Sequence, residues 1–138
     1  MSKQKLFKNP ESDTEEWYTE VWKNELIQVK DKTDILVRNH YWQDAEGELW
    51  GDFNNPMENV RAGFTAYRKK KGYMTPDEIR TLRNNLDLSV RDFADRIGIT
   101  PSSLTQIEND QRVQVKYQEI IFKSARDYYQ RNGTLPGN

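Results

Sequence analysis

Polar side chains with hydrogen-bonding chemistry recur in the segment VRDFADRIGITPSSLTQIEN, residues 90–109. The second of two helices predicted there carries hydroxyl and amide groups at its exposed positions, namely Ser102, Ser103, Thr105, Gln106 and Asn109. An amide can pair with adenine through two hydrogen bonds, and a hydroxyl can bond several bases. These residues are therefore candidates for contact with DNA base edges, with Gln106 the best single one. The alternative is an ordinary solvated helix face.

Cations and helix N-termini around the same segment have the chemistry to bind phosphate. Backbone N–H groups at a helix N-terminus attract anions, as arginine and lysine side chains do. The candidates are Ser89, Arg91, Arg96, Thr100, Arg112 and Lys116. For the charged residues the alternative is a surface charge without a ligand. Glu108 would repel phosphate, so we expect it to face inward or to pair with an arginine.

A helix-turn-helix would position these side chains, and the segment contains the residues that such a motif needs. Two short helices that cross steeply need a small residue at the crossing, which Ala94 supplies, and a turn residue that tolerates positive φ, which Gly98 supplies. Thr100 and Pro101 suit the start of the second helix. Apolar residues at the required spacings are Phe93, Ile97, Ile99, Leu104 and Ile107. The alternative is an ordinary helical hairpin.

The sequence offers little for catalysis or metal binding. It contains no cysteine and one histidine, His40, for which a structural role is the expectation. P-loop, GxSxG and HExxH patterns are missing. The acidic residues of 11–20 are interpreted as a solvated segment. We therefore predict a protein that is not an enzyme and has no cofactor or metal. Because no apolar run reaches the roughly 20 residues of a membrane span, a cytoplasmic location is expected.

The chain divides into a β-rich part and a helical part, which predicts an α+β fold with a small antiparallel N-terminal sheet. Residues 1–16 lack periodicity and are interpreted as a flexible lead-in. Residues 17–54 are predicted to form a partner-binding domain, with a hairpin turn at Glu46-Gly47. Its strands are expected at Trp17–Trp22, Leu26–Lys30, Ile35–Trp42 and Leu49-Trp50.

Capping signals define the helical part. Asn55, Pro56 and Glu58 predict the start of a linker helix over residues 55–72, which ends in the basic run Arg68–Lys71 before Gly72. Residues 73–133 are predicted to form the helix-turn-helix domain. Its first helix opens at Thr75-Pro76, and its last runs over roughly 114–131.

Charge is distributed unevenly between the two parts. Residues 1–60 carry 7 Lys and Arg against 13 Asp and Glu, a net charge of −6, whereas residues 61–138 carry 14 against 9, a net charge of +5. A basic part attracts polyanions, and an acidic part attracts basic protein surfaces. The alternative is that the two parts simply differ in surface composition.

The segment from Val90 to Asn109 resembles the helix-turn-helix of lambda-repressor-like (Xre-type) regulators. The longer run from NPMENVRAGF to SSLTQIEN resembles the C-terminal part of MqsA-type (YgiT-type) antitoxins, well over residues 55–125 and in outline over 17–54. The resemblance implies a homodimer joined through the C-terminal domain and a palindromic operator upstream of its own operon. It also implies an N-terminal domain that binds a small toxin, usually one that cleaves RNA.

The chain departs from that family at several positions. Both zinc-binding CxxC pairs are missing, and we infer that packing of Trp42 and Trp50 helps to replace metal ligation. Ser102 and Gln106 stand where the family has its base-reading Asn and Arg, so the operator sequence does not carry over. Val90 replaces a phosphate-binding Gln, and Asp110 replaces the Gly that ends the recognition helix.

Three functions fit these observations. The first is an antitoxin that represses its own operon and neutralises a toxin through its N-terminal domain. The second is a stand-alone, prophage-type transcriptional repressor. The third is a protein inhibitor or adaptor in which DNA binding is secondary.

Overall fold

The computed structural model describes residues 2–137, which form four strands followed by five helices. The strands are β1 (Gln4–Asn9), β2 (Thr14–Val29), β3 (Lys32–Gln43) and β4 (Leu49–Trp50), and they form one antiparallel sheet in the order β1-β2-β3-β4. The helices are α1 (Glu58–Lys71), α2 (Pro76–Asn85), α3 (Val90–Ile97), α4 (Pro101–Glu108) and α5 (Lys116–Asn132). This architecture confirms the α+β prediction. The chain separates into two compact units between Tyr67 and Arg68.

The prediction of a flexible lead-in over residues 1–16 is wrong for the described part of that segment, and Met1 lies outside the described residues. Residues 4–9 form strand β1, which pairs with β2 in a register that places Leu6 opposite Trp17. The side chain of Phe7 is buried, and the buried Asn9 donates a hydrogen bond to the Tyr18 hydroxyl at 3.2 Å. In the sequence, charged neighbours of Phe7 and Asn9 hide the alternating pattern of a strand. Contacts with the rest of the sheet therefore decide that this segment is extended.

The two strands predicted over residues 17–30 are one continuous strand. The polar residues expected to separate them, Lys23, Asn24 and Glu25, lie inside β2 and pair with β3. Lys23 and Asn24 are exposed, and the Glu25 carboxylate accepts hydrogen bonds from Tyr41 at 2.5 Å and from Asn39 at 3.0 Å. Cross-strand partners therefore accommodate polar residues that break the apolar pattern. The predicted turn between β3 and β4 is confirmed, with Gly47 at a φ of 86°.

An aromatic cluster fills one side of the sheet near β1. The Phe7 ring lies 5.0 Å from that of Trp42 and 5.3 Å from that of Phe53. Such tilted and edge-on contacts suit aromatic quadrupoles. The indole N–H groups are satisfied, because Trp42 donates to Asp52 at 3.1 Å and Trp50 donates to Asp44 at 3.0 Å.

Helix α1 begins at Glu58, three residues after the predicted cap at Asn55. The Asn59 side chain accepts from the His40 backbone N–H at 2.8 Å and donates to its carbonyl at 2.9 Å, so it covers the edge of β3. A Cβ on Gly63 would lie 2.9 Å from Cδ1 of Ile27. Glycine therefore lets the helix approach the β2–β3 hairpin closely.

The second unit encloses a helical core. Its buried apolar side chains are Met74, Ile79, Leu82, Phe93, Ala94, Leu104, Ile107, Phe122, Ala125 and Leu135. Helix α2 begins at the predicted opening with a capping box, in which the Thr75 hydroxyl and the Glu78 carboxylate each accept from the other residue's backbone N–H. None of the helices within residues 2–137 combines the length and apolar character of a bilayer span.

Candidate nucleic-acid interface

The turn between α3 and α4 has the geometry that the sequence predicts. Gly98 adopts a left-handed φ of 85°, and its N–H donates to the carbonyl of Ala94 at 2.9 Å. Ala94 is fully buried where the two helices pack. A residue with a Cβ would be strained at this φ, so glycine makes the abrupt change of direction possible.

Helix α4 starts with a side-chain cap. The Thr100 hydroxyl oxygen accepts from the Ser103 backbone N–H at 3.1 Å, and the same hydroxyl donates to the Ser103 hydroxyl at 2.9 Å. Pro101 occupies the first helical position. Because Pro101 has no N–H and the Ser103 N–H bonds the Thr100 cap, the N–H of Ser102 is the remaining donor of the first turn for an anion.

Helix α4 buries one side and exposes a polar ridge on the other. Leu104, Ile107 and Glu108 are buried at helical spacing. Of the predicted base-contacting residues, Ser102, Thr105 and Asn109 are exposed, whereas Ser103 and Gln106 are half-buried. Ser103 is partly occupied by its bond with Thr100. The structure thus brings the five residues together on one short helix and its C-cap.

Gln106 has a neighbour that orients its amide. A guanidinium N–H of Arg112 lies 3.5 Å from the Gln106 Oε1 atom, at the limit of a hydrogen bond. Arg112 belongs to the loop between α4 and α5. This contact turns the amide oxygen towards the loop.

The predicted phosphate-binding residues other than Arg112 fall into two groups. Ser89, Arg91, Thr100 and Lys116 are exposed, and Ser89 caps α3 by accepting from the Asp92 N–H at 3.0 Å. Arg96 lies apart from α4, because its guanidinium donates to the carbonyl of Pro136 at 2.9 Å and lines a groove with residues of α5. Arg96 therefore already has a partner on the C-terminal tail.

The prediction for Glu108 is confirmed. Its buried carboxylate binds Arg83 at two points, with Nε–Oε2 at 2.8 Å and Nη2–Oε1 at 2.9 Å. The hydrogen bond with Glu108 raises the pKa of Arg83 above its ordinary value, against the opposing effect of burial. Arg80 also donates to the Glu108 main-chain carbonyl. These bonds neutralise the acid and fix α4 to α2.

A buried polar network, which sequence reasoning missed, fixes the loop after α4. Arg68, read from the sequence only as part of a basic helix end, is 1% exposed and donates to Asp110, Arg112 and Gln114. Asp110 adopts a left-handed φ of 56°, which explains how it replaces the expected glycine, since Asp tolerates this region better than most residues.

His40 is held between two carboxylates in the first unit. Its Nδ1 lies 2.8 Å from Glu58 Oε1, and its Nε2 lies 2.8 Å from Glu20 Oε2. Burial favours a lower pKa, but the hydrogen bonds with Glu58 and Glu20 prevail and raise the pKa of His40. His40, Asp52 and Glu58 also form the one group in residues 2–137 with the spacing to hold a metal ion. Because both ring nitrogens already have carboxylate partners, we assign the group to ion pairing.

A comparison with known protein families identifies the class of this domain. Residues 79–116, from α2 to the first residue of α5, match the family model described as Helix-turn-helix. The second unit thus contains an Xre-type helix-turn-helix, a domain of DNA-binding transcription regulators. No curated protein and no solved structure matches the chain.

Proposed function

We propose that this protein is a sequence-specific transcriptional repressor that reads a palindromic operator as a homodimer and serves as the antitoxin of a toxin–antitoxin pair. The observation that carries the DNA-binding part is the polar ridge of α4, exposed on a helix that is capped at its start and anchored by Glu108 at its end. The antitoxin part rests on the resemblance to MqsA-type antitoxins and on the acidic, apolar surface of the first unit.

In the proposed complex, α4 lies in the major groove. Thr105, Gln106 and Asn109 face base edges, while the N-termini of α3 and α4 hold phosphates on either side of the groove. With Gln106 Oε1 turned towards Arg112, its NH₂ group donates to acceptors such as N7 or O6 of a purine or O4 of thymine. No arginine reads guanine from α4 itself.

The dimer contact is proposed for an apolar stripe on α5. Tyr117 and Ile120 are 60% and 55% exposed, and Ile121 and Tyr128 continue the stripe at helical spacing. Asp127 and Arg131 line the groove alongside it. In a two-fold symmetric contact this surface faces its own copy, so acidic and basic residues beside the stripe can form ion pairs between the two protomers. Two recognition helices then read half-sites about 34 Å apart.

The toxin-binding surface is proposed for the uncovered parts of the sheet. Leu6 and Trp17 are cross-strand partners on β1 and β2, and they are 41% and 63% exposed. Exposed acids, among them Glu11, Glu15 and Glu46, surround the same sheet. An exposed apolar pair on a unit of net negative charge suits a basic partner, as expected of a small RNA-cleaving toxin.

Binding to duplex DNA tests the repressor function. In a mobility-shift titration with the upstream region of its own operon, the protein should retard that fragment at concentrations at which an unrelated fragment stays free. A shift of both fragments at equal concentration would contradict sequence-specific binding.

Co-expression with the product of the neighbouring gene tests the antitoxin function. Growth should be arrested by that product alone and restored by this protein, and Trp17→Ser should weaken the rescue while operator binding persists. Operator binding without a complex or rescue would favour the stand-alone repressor. Rescue by a Thr105→Ala/Gln106→Ala variant that no longer binds the operator would favour the inhibitor or adaptor.

A further inference from the structure

We infer that the last turn of α1 belongs to the DNA-binding surface, where Lys69 and Lys70 bind backbone phosphates of the duplex next to the half-site read by α4. Neither lysine was among the predicted phosphate ligands. The inference extends the proposed function and rests on its DNA-binding part.

Arg68 fixes this turn to the loop that follows α4. Its Nη1 donates to Asp110 Oδ1 at 2.5 Å, its Nη2 to the Arg112 carbonyl at 2.9 Å, and its Nε to Gln114 Oε1 at 3.1 Å. Asp110 comes directly after the C-cap of α4. The turn of α1 therefore packs beside the C-terminal end of the recognition helix.

A second set of buried bonds holds the chain just beyond the lysines. Gln114 Nε2 donates to the Met74 carbonyl at 2.8 Å and to Glu119 at 2.9 Å, while the Met74 N–H lies 3.1 Å from each oxygen of the Glu119 carboxylate. Gln114 and Glu119 are buried. The segment is thus anchored on both sides of the lysines, so they are held in place rather than carried on a loose tether.

The surface presented by this segment is positive. Lys69 and Lys70 are exposed, and Lys116 at the start of α5 is exposed as well. Arg68 neutralises Asp110, the acid in the adjoining loop. Lysines at a helix C-terminus are favourable on their own account because of the helix dipole. The three bonds of Arg68 fix this turn to the loop after α4, so the position of the two lysines relative to α4 is set before DNA binds.

The ligand of this surface is the sugar–phosphate backbone, which binds lysine without regard to sequence. Each phosphate that is neutralised releases counterions. It makes the negative slope of log affinity against log salt concentration steeper by about 0.9. Two lysines should therefore contribute about 1.8 to the slope and leave base preference unchanged.

The test compares the full-length protein with a Lys69→Gln/Lys70→Gln variant by fluorescence anisotropy on an operator duplex. Between 50 and 200 mM salt, the parent should lose about tenfold more affinity than the variant. The ranking of operators with single base changes should stay the same, and Lys69→Arg/Lys70→Arg should restore the parental slope. A matched control is Lys3→Gln/Lys23→Gln, which removes two exposed lysines from the sheet and should retain the parental slope.

An unchanged slope in the Lys69→Gln/Lys70→Gln variant, with normal operator binding by the parent, would overturn this inference alone. A parent that binds no duplex would overturn the proposed DNA-binding function and this inference with it. A changed ranking of operators would also contradict a phosphate role.

Discussion

At the scale of single residues, the proposed base recognition depends on a few polar side chains of α4. Thr105 and Asn109 are exposed, whereas Gln106 is half-buried next to Arg112. A side chain whose position is fixed before binding loses less conformational entropy when it binds DNA. Gln106 is therefore the residue of α4 expected to contribute most to specificity.

Replacing Gln106 with alanine should weaken operator binding by about 1–3 kcal/mol and relax specificity at one base pair. Anisotropy titrations against operators with each base pair changed in turn would measure both effects. Gln130→Ala, at an exposed position of α5, is the matched control and should bind as the parent does. Uniform weakening on all operators would show that Gln106 contacts the backbone instead of a base.

His40 gives the first unit a pH-dependent stability. Its carboxylate partners, Glu58 and Glu20, raise its pKa in the folded state despite burial. The stabilisation is fully present below the unfolded-state pKa of about 6.5 and is lost as the pH rises through the folded-state pKa. The free energy of unfolding of this unit should therefore fall as the pH rises from the unfolded-state pKa through the folded-state pKa of His40.

Urea unfolding followed by tryptophan fluorescence would measure this effect, because Trp17, Trp22, Trp42 and Trp50 all lie in the first unit. The His40→Gln variant should show a flatter dependence on pH over the same interval. If the two proteins follow parallel profiles, His40 is not the group that titrates.

At the scale of secondary-structure elements, the α3–α4 turn depends on one backbone conformation. Gly98 has open space where a Cβ would stand, so a substitution there meets no steric clash with other residues. The cost of a side chain comes from the left-handed φ of 85° alone.

Gly98→Ala should lower the free energy of unfolding of the second unit by about 1–2 kcal/mol. Urea unfolding followed by circular dichroism would measure the change. Gly137→Ala is the matched control, since it also faces open space but without a positive φ, and its stability should equal that of the parent. Equal stability of the Gly98→Ala variant would mean that the turn relaxes to another conformation.

At the scale of the whole molecule, the two units differ in charge and in the surfaces that they expose. The first unit is acidic and leaves Trp17, Leu26 and Leu36 exposed on its sheet, whereas the second is basic and leaves Tyr117 and Ile120 exposed on α5. Apolar surfaces of this kind mark contacts with other proteins. Two separate surfaces fit a protein that both dimerises and binds a partner of another kind.

Ile120→Glu should convert the proposed dimer to a monomer, because it places a charge in the centre of an apolar contact. Analytical ultracentrifugation would show the change in mass, and affinity for a full palindrome should fall towards that for a single half-site. Gln130→Glu adds the same charge at another exposed position of α5 and should leave the dimer intact. A parent that sediments as a monomer at all concentrations would contradict the α5 contact.

The sequence by itself determined the parts of this protein that depend on near neighbours along the chain. The caps at Thr75 and Thr100, the Gly98 turn and the apolar spacing around Leu104 each involve residues within a few positions of one another. Such features leave a pattern that is visible in one segment. The helix-turn-helix followed from them, and the α+β class followed from the division of the chain into a β-rich part and a helical part.

Tertiary structure alone decided which charged and polar residues are buried and how the N-terminal strands pair. Arg68 finds its acceptors 42 to 46 residues further along the chain, and β1 is ordered by an aromatic cluster that includes Trp42. No local pattern records such partners. Burying a guanidinium is favourable only when distant acceptors meet it, so this feature becomes visible only once the chain is folded.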